Sequence, residues 1–369
     1  MADSPDISFS PDYAVPPGET LDEILRARQL TQADLARRAG RPLKTINEIV
    51  QGKAALTPET ALQLDKVLDV PARFWNNLER NYREALARQD ERSRLAQDLD
   101  LLDQVPVKEL LKYDLVKPTD DRVELLSRVL GFFGVASAEA WQRKWADPAA
   151  AFRKSPAFQS SPGATAAWLR VGELVASQTP TGPFDAPSLR GALSQVRLLT
   201  TKTPEAFLGP LRETCAECGV LVAFVPEFKE TRVSGSARWL SQDRALIQIS
   251  ARYRAEDQIW FTFFHECGHL LLHGKREWFI DTVDLLTSAE RLEMEASTFA
   301  ADVLIPPDEY SQFLSGESFS ELSIRAFALD LGISPAIVVG RLQHDRHVSF
   351  KRFWGLKRRY SVEWRAEES

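Results

Sequence analysis

The stretch Trp260-Phe-Thr-Phe-Phe-His-Glu-Cys-Gly-His-Leu-Leu-Leu-His273 decides how the C-terminal half of this chain is read. At helical spacing, Trp260, Phe263, Phe264, Cys267 and Leu271 form one apolar stripe, the pattern of a helix laid on a core. Gln258, Thr262, His265, Glu266, His269 and His273 gather on the other side, and Gly274 follows as a C-cap. Residues four apart stack on one helix face. His265 and His269 therefore aim two imidazoles at one point, with the Glu266 carboxylate beside the first.

Two histidines and a glutamate spaced as HExxH are the arrangement by which zinc peptidases hold a metal and a general base. The bland reading is a helix whose histidines are merely hydrogen-bonded. Histidine is scarce, however: five in the chain, three of them between residues 265 and 273. That concentration favours a metal site. A catalytic zinc needs a third protein ligand. His273 lies one turn beyond His269, and a straight helix carries it past an ion shared by the first pair. The glycine turn that returns a third histidine in metzincins is absent, so His273 is read as a residue that suits the helix C-terminus. A carboxylate on a second helix is the other solution. Thr287-x-x-Glu290 reads as a capping box, opening a helix that buries Leu292, Ala296, Phe299, Ala300 and Val303 and ends before Pro306. Glu293 and Glu295 flank that stripe on opposite edges, and periodicity does not choose between them. Asp302, two turns beyond Glu295, is placed to orient a ligand histidine; Asp281 is a weaker loop candidate. Cys267 points into the core and is not a nucleophile. Tyr310 and Arg238 are candidates for steadying an oxyanion.

The chain has 369 residues, 44% of them hydrophobic, enough for two or three domains with real cores. No apolar run reaches the length of a membrane span. The N-terminus, Met-Ala-Asp-Ser-Pro-Asp, lacks the basic and apolar segments of a signal peptide. Three cysteines suit a reducing compartment, and the protein is read as cytoplasmic. Cys215-x-x-Cys218 has no second pair to complete a four-ligand zinc site. A net charge of −6 argues against a surface that coats nucleic acid, so any DNA contact must be local.

Such a patch lies near the start. Residues 1–17 read as a flexible arm, followed over 18–92 by five short helices. Thr31-Gln-Ala-Asp34 caps one that Gly40 ends; Pro42 begins the next, with Leu43, Ile46, Ile49 and Val50 inward; Pro58 and Pro71 open two more. The fourth holds Ala61, Leu62, Leu64 and Leu68, the fifth Phe74, Trp75 and Leu78. Two short helices around a Gly-containing turn suggest a helix-turn-helix. Residues 26–53 hold seven Lys or Arg against Asp34 and Glu48, a net +5, while 18–92 as a whole is only +1. The excess is local, as a phosphate-contacting face requires. Gln32, Arg41, Lys44, Thr45 and Asn47 are the candidate DNA contacts. An ordinary helical bundle with a solvated basic face is the alternative.

Thr31-Gln-x-x-Leu-Ala-x-x-Ala-Gly40, Ile46, Gly52 and Pro58-x-x-Ala-x-x-Leu resemble the helix-turn-helix of HigA-type antitoxins. A second set runs in order along the C-terminal part: Ser234-Gly-Ser-Ala-Arg-Trp239, the 261–273 helix, Glu295-Ala-x-x-Phe-Ala-Ala301, Leu304-Ile-Pro306, Leu331-Gly-Ile-Ser-Pro335 and Val338-Val-Gly-Arg-Leu342. These resemble the ImmA/IrrE metallopeptidases. The resemblance implies a gluzincin-like zinc peptidase, with His265, His269 and Glu295 as ligands and Glu266 as base. Ser297 stands where Asn is frequent. It further implies a protein substrate, a helix-turn-helix repressor, and a DNA-binding module that acts as a dimer. The competing reading is a HigA-like regulator whose peptidase fold only senses or scaffolds; an intact Glu266 weighs against it.

The expected fold is mainly α with a small sheet. The helix-turn-helix bundle at 18–92 is followed by a helical middle region at 93–204, in which Arg153, Arg170 and Glu173 are pocket or ion-pair candidates. A zincin-like α+β domain fills 205–369, with a helix from Glu205 interrupted at Gly209-Pro210. Its strands fall at 219–226, 237–240 and 245–250, ahead of the metal helix.

Overall fold

The computed structural model describes residues 15–146, 161–177, 179–250, 255–273, 285–316 and 319–360, with backbone alone for 285–289. Arg153 and Asp281, named above, and Gly274, the expected C-cap, lie outside the described residues. The chain divides into two compact units, Met1–Asp98 and Leu99–Ser369.

The first unit is helical: α1 (Pro17–Ala27), α2 (Gln32–Ala39), α3 (Leu43–Val50), α4 (Pro58–Leu68) and α5 (Ala72–Leu95). The capping box forms, with the Asp34 N–H donating to Thr31 Oγ1 at 3.1 Å and the Thr31 N–H to Asp34 Oδ2 at 3.3 Å. Gly40 ends α2 at φ 64°, a conformation that favours glycine. Leu21, Leu35, Ile46, Ala61, Leu64, Leu68 and Trp75 fill the core. Leu43 and Leu62, expected inward, are 45% and 56% exposed. Each sits beside the inward stripe of its helix, a turn angle that composition does not register.

The second unit is built round a three-stranded sheet, β1 (Val220–Phe224), β2 (Gly235–Trp239) and β3 (Ala245–Ile249), in the order β1-β3-β2. β1 runs parallel to β3 and β2 antiparallel to it. Short helices α6 (Leu101–Gln104), α7 (Val107–Lys112), α8 (Arg122–Phe133) and α9 (Ala138–Trp141) precede α10 (Pro162–Ser177). α10 covers one face of the sheet, where Gln248 Nε2 donates to the Trp168 carbonyl at 2.6 Å and lies against Gly172. Residues 99–204 therefore fall in the same unit as the sheet.

The other face, carrying Val220, Val222, Phe224, Ala245, Ile247 and Ile249, shares one core with three more helices. These are α11 (Ala186–Leu198), α12 (Pro204–Glu217) and α13 (Glu256–Leu272). α12 is not interrupted: it runs through Pro210, which costs one backbone bond in a helix otherwise fixed by burial of Phe207, Leu211 and Cys215. Helices α14 (Leu285–Leu304), α15 (Pro307–Leu314), α16 (Glu321–Leu331) and α17 (Pro335–His344) follow. α14 starts two residues before Thr287, so that residue is not its cap. The start of α13 is anchored by buried Glu256, whose carboxylate accepts from Arg358 Nε, Tyr360 Oη and Ser334 Oγ. Among the described residues no single helix is long and apolar enough to cross a membrane.

Candidate metal centre

α13 takes its predicted pose. Ile259, Trp260, Phe263, Phe264, Cys267 and Leu270 are buried in the core, and the histidines lie on the opposite side. His265 Nε2 and His269 Nε2 converge to 3.0 Å. α14 lies against α13 at a point where both chains are small: a side chain added at Gly268 would meet the Ala296 Cα at 3.1 Å. This approach sets the rotation of α14. With Ala296 and Ala300 turned inward, Glu293 faces the histidine pair. Its Oε2 is 3.2 Å from His265 Nε2 and its Oε1 3.5 Å from His269 Nε2. Hydrogen bonds from His265 and then His269 hold its carboxyl well below the usual range.

His265, His269 and Glu293 thus form a cluster able to hold a metal ion. Donors held about 2.0–2.2 Å from one zinc at tetrahedral angles lie about 3.3–3.6 Å apart. The separations of 3.0, 3.2 and 3.5 Å fit that geometry. Glu295, the carboxylate that the resemblance implied, does not join them. Two residues along a helix is a rotation of about 200°, so Glu295 is carried to the far edge. Its Oε2 lies 3.2 Å from His273 Nε2, and His273 Nδ1 lies 3.1 Å from His269 Nδ1. Burial holds the His273 imidazole below its ordinary pKa, with the Glu295 hydrogen bond pulling the other way.

Asp302 does not reach a ligand histidine; it lines a cavity further along α14. The partner of His265 Nδ1 is Ser297 Oγ, at 3.2 Å. Ser297 follows Glu293 by one turn, so the same rotation delivers both. The signal in the sequence was that spacing.

Glu266 is 7% exposed and tucked under β2. A side chain at Gly235 would meet Glu266 Oε1 at 2.7 Å and Thr262 Cγ2 at 2.4 Å, so only glycine lets the strand pass. Burial pushes the Glu266 carboxyl up to about 7; the Glu293 charge adds to this, while His269 and a hydrogen bond from the Ala237 backbone oppose it. That N–H points away from β3. Alternation along the strand puts the backbone groups of Gly235, Ala237 and Trp239 on the outer edge. Among the described residues no strand pairs with that edge. Arg238 is committed elsewhere, bonded to Glu173 Oε1 at 2.9 Å and to the Leu169 carbonyl. Glu173 also takes Arg170 Nη1 at 2.8 Å, so that trio is a structural ion pair between α10 and β2. Tyr310 donates to Asp345 Oδ2 at 3.0 Å. Neither candidate for the oxyanion is free for the role. Cys267 is buried in the core, which raises its thiol pKa well above normal and leaves it inert.

In the first unit, Lys44 is 84% exposed beside Glu48 at 3.8 Å. Gln32, Thr45 and Asn47 are half-buried on α2 and α3. Arg41 donates through Nε to Gln63 Oε1 at 2.7 Å, which fastens it to α4.

Fold and site give a three-stranded sheet beside a candidate metal centre in the second unit, and a helix-turn-helix in the first. Residues 215–343 match the family profile described as the IrrE N-terminal-like domain of peptidase family M78, and residues 21–75 match that described as helix-turn-helix. The chain therefore carries an IrrE-like peptidase domain together with a DNA-binding helix-turn-helix domain. Similar solved structures include an antidote protein of a plasmid maintenance system from Nostoc punctiforme. It is 29% identical over 22% of this chain and 91% of its own length, with TM-score 0.22. Another is an addiction module antidote protein of the HigA family from Coxiella burnetii, 26% identical over 23% of this chain and 92% of its own, with TM-score 0.21. No curated protein matches the chain.

Proposed function

We propose that this protein is a zinc-dependent endopeptidase of the cytoplasm that cleaves a transcriptional repressor, and that its helix-turn-helix module binds DNA as a dimer. The convergence of His265, His269 and Glu293 beside an intact, buried Glu266 carries this reading. The three donors would hold Zn2+ in the open-sided geometry of a catalytic site. A zinc ion held there would supply Lewis-acid chemistry, polarising the scissile carbonyl and acidifying a bound water. Glu266 takes the proton of the attacking water and passes it to the leaving amine. An extended substrate would lie along the outer edge of β2, in the manner of an added strand. A metal site with only a structural task does not need Glu266. Co-expression with helix-turn-helix repressors, wild type against Glu266→Gln, tests the reading: cleavage products are expected with wild type alone, while the variant keeps its metal. Products from both would sink the general-base assignment, and products from neither the proteolytic one.

A further inference from the structure

A cavity of about 560 Å³ opens beside Glu293 and runs between α13, α14 and α17. Its walls are apolar: Phe261, Leu304, Ile305 and Ile337. Its far end is acidic. Asp257 precedes His265 by eight residues, about 12 Å along the helix, and Asp302 follows Glu293 by nine. Both line the cavity. Asp257 is 4% exposed, and its Oδ2 accepts from Lys357 Nζ at 2.6 Å. Its Oδ1 is buried without any hydrogen-bond partner. Asp257 is neutralised by Lys357, and the open carboxylate of this end is Asp302, half-buried with no ion-pair partner among the described residues. The cations that share the lining are already neutralised: Arg341 Nε and His344 Nδ1 are 2.7 and 2.9 Å from the Asp345 carboxylate.

Resting on the peptidase reading above, we propose that this cavity receives the side chain of a substrate residue flanking the scissile bond, and that it selects lysine or arginine. Only a long side chain spans apolar walls from the metal to a carboxylate end, and those two combine an apolar stem with a cationic tip. Short side chains do not reach the Asp302 carboxylate, and acidic ones face it with like charge.

The test is digestion of a proteome-derived peptide library by the zinc-loaded full chain, with the new termini sequenced. Lysine and arginine are expected in several-fold excess at one of the two residues flanking the cut. The best-cut peptide is then remade with citrulline for arginine, and binding of both forms to the full-length Glu266→Gln variant is measured. Loss of the charge should weaken binding about tenfold, and adding Asp302→Asn to that variant should narrow the difference. If Asp302→Asn is poorly folded, as its zinc content and circular dichroism would reveal, the citrulline comparison decides alone. A library cut without basic preference, or citrulline binding as well as arginine, overturns this inference and leaves the peptidase reading standing. A library left uncut overturns the peptidase reading, and this inference falls with it.

Discussion

Glu293 and Glu295 differ in position by two residues and in surroundings entirely: one meets the Nε2 atoms of His265 and His269, the other meets His273. If His269 ligates through Nε2, its Nδ1 carries the hydrogen and donates to His273 Nδ1. His273 then bears its own hydrogen on Nε2 and donates it to Glu295. This proton count makes Glu295 a group that steadies a ligand histidine through a second ring, a role that commonly costs 10–100-fold in metal affinity when lost. Zinc titration should separate the two. Glu293→Ala is expected to lose stoichiometric zinc. Glu295→Ala should retain it with affinity weakened about tenfold. The reverse order would return the ligand role to Glu295. The sequence left both carboxylates open because each borders the same apolar stripe; the resemblance pointed to Glu295, whereas the geometry turns Glu293 to the histidine pair. What decides is the contact of Gly268 with Ala296, a tertiary fact with no periodic signature.

At the scale of elements, the HExxH helix was legible because one turn of helix is both the spacing of a metal pair and the spacing of a buried stripe. The strands were legible as apolar runs, yet not their order, since β3 enters between β1 and β2 and the sequence carries no mark of it. Two glycines set how the elements meet. Gly268 lets α14 close on α13, and Gly235 lets β2 pass over Glu266. Gly268→Val should force the helices apart, destabilising the fold by about 1–3 kcal/mol and loosening zinc, because the ligands come from both helices. Gly235→Ala should act differently, displacing the Glu266 carboxylate while leaving His265, His269 and Glu293 in place. Its expected signature is retained zinc with cleavage much reduced. Thermal melts and metal analysis on the two variants check this contrast, and equal zinc loss in both would refute it.

Across the whole molecule, charge is distributed against its average. The chain carries −6, yet residues 26–53 carry +5. Attraction to DNA must therefore come from the first unit's own surface, and it should be strongly screened by salt. The helices and caps of that unit were readable from sequence because Thr31, Gly40, Pro42 and Pro58 each punctuate one boundary. Which basic side chains are free was not. Arg41 is fastened to Gln63 on α4, whereas Lys44 is open to solvent apart from Glu48. Lys44→Ala should weaken binding to the protein's target DNA and lower the salt slope by about one, the loss of one phosphate neutralisation. Thr45→Ala, half-buried one residue on, should change sequence preference and leave the slope alone if the hydroxyl reaches a base edge. Arg41→Ala is expected to lower the melting temperature of the unit as well as its affinity, because a link between α4 and the turn joining α2 to α3 goes with it. Fluorescence anisotropy at several salt concentrations separates these outcomes. An unchanged slope in Lys44→Ala would show that the +5 surface faces something other than a phosphate backbone.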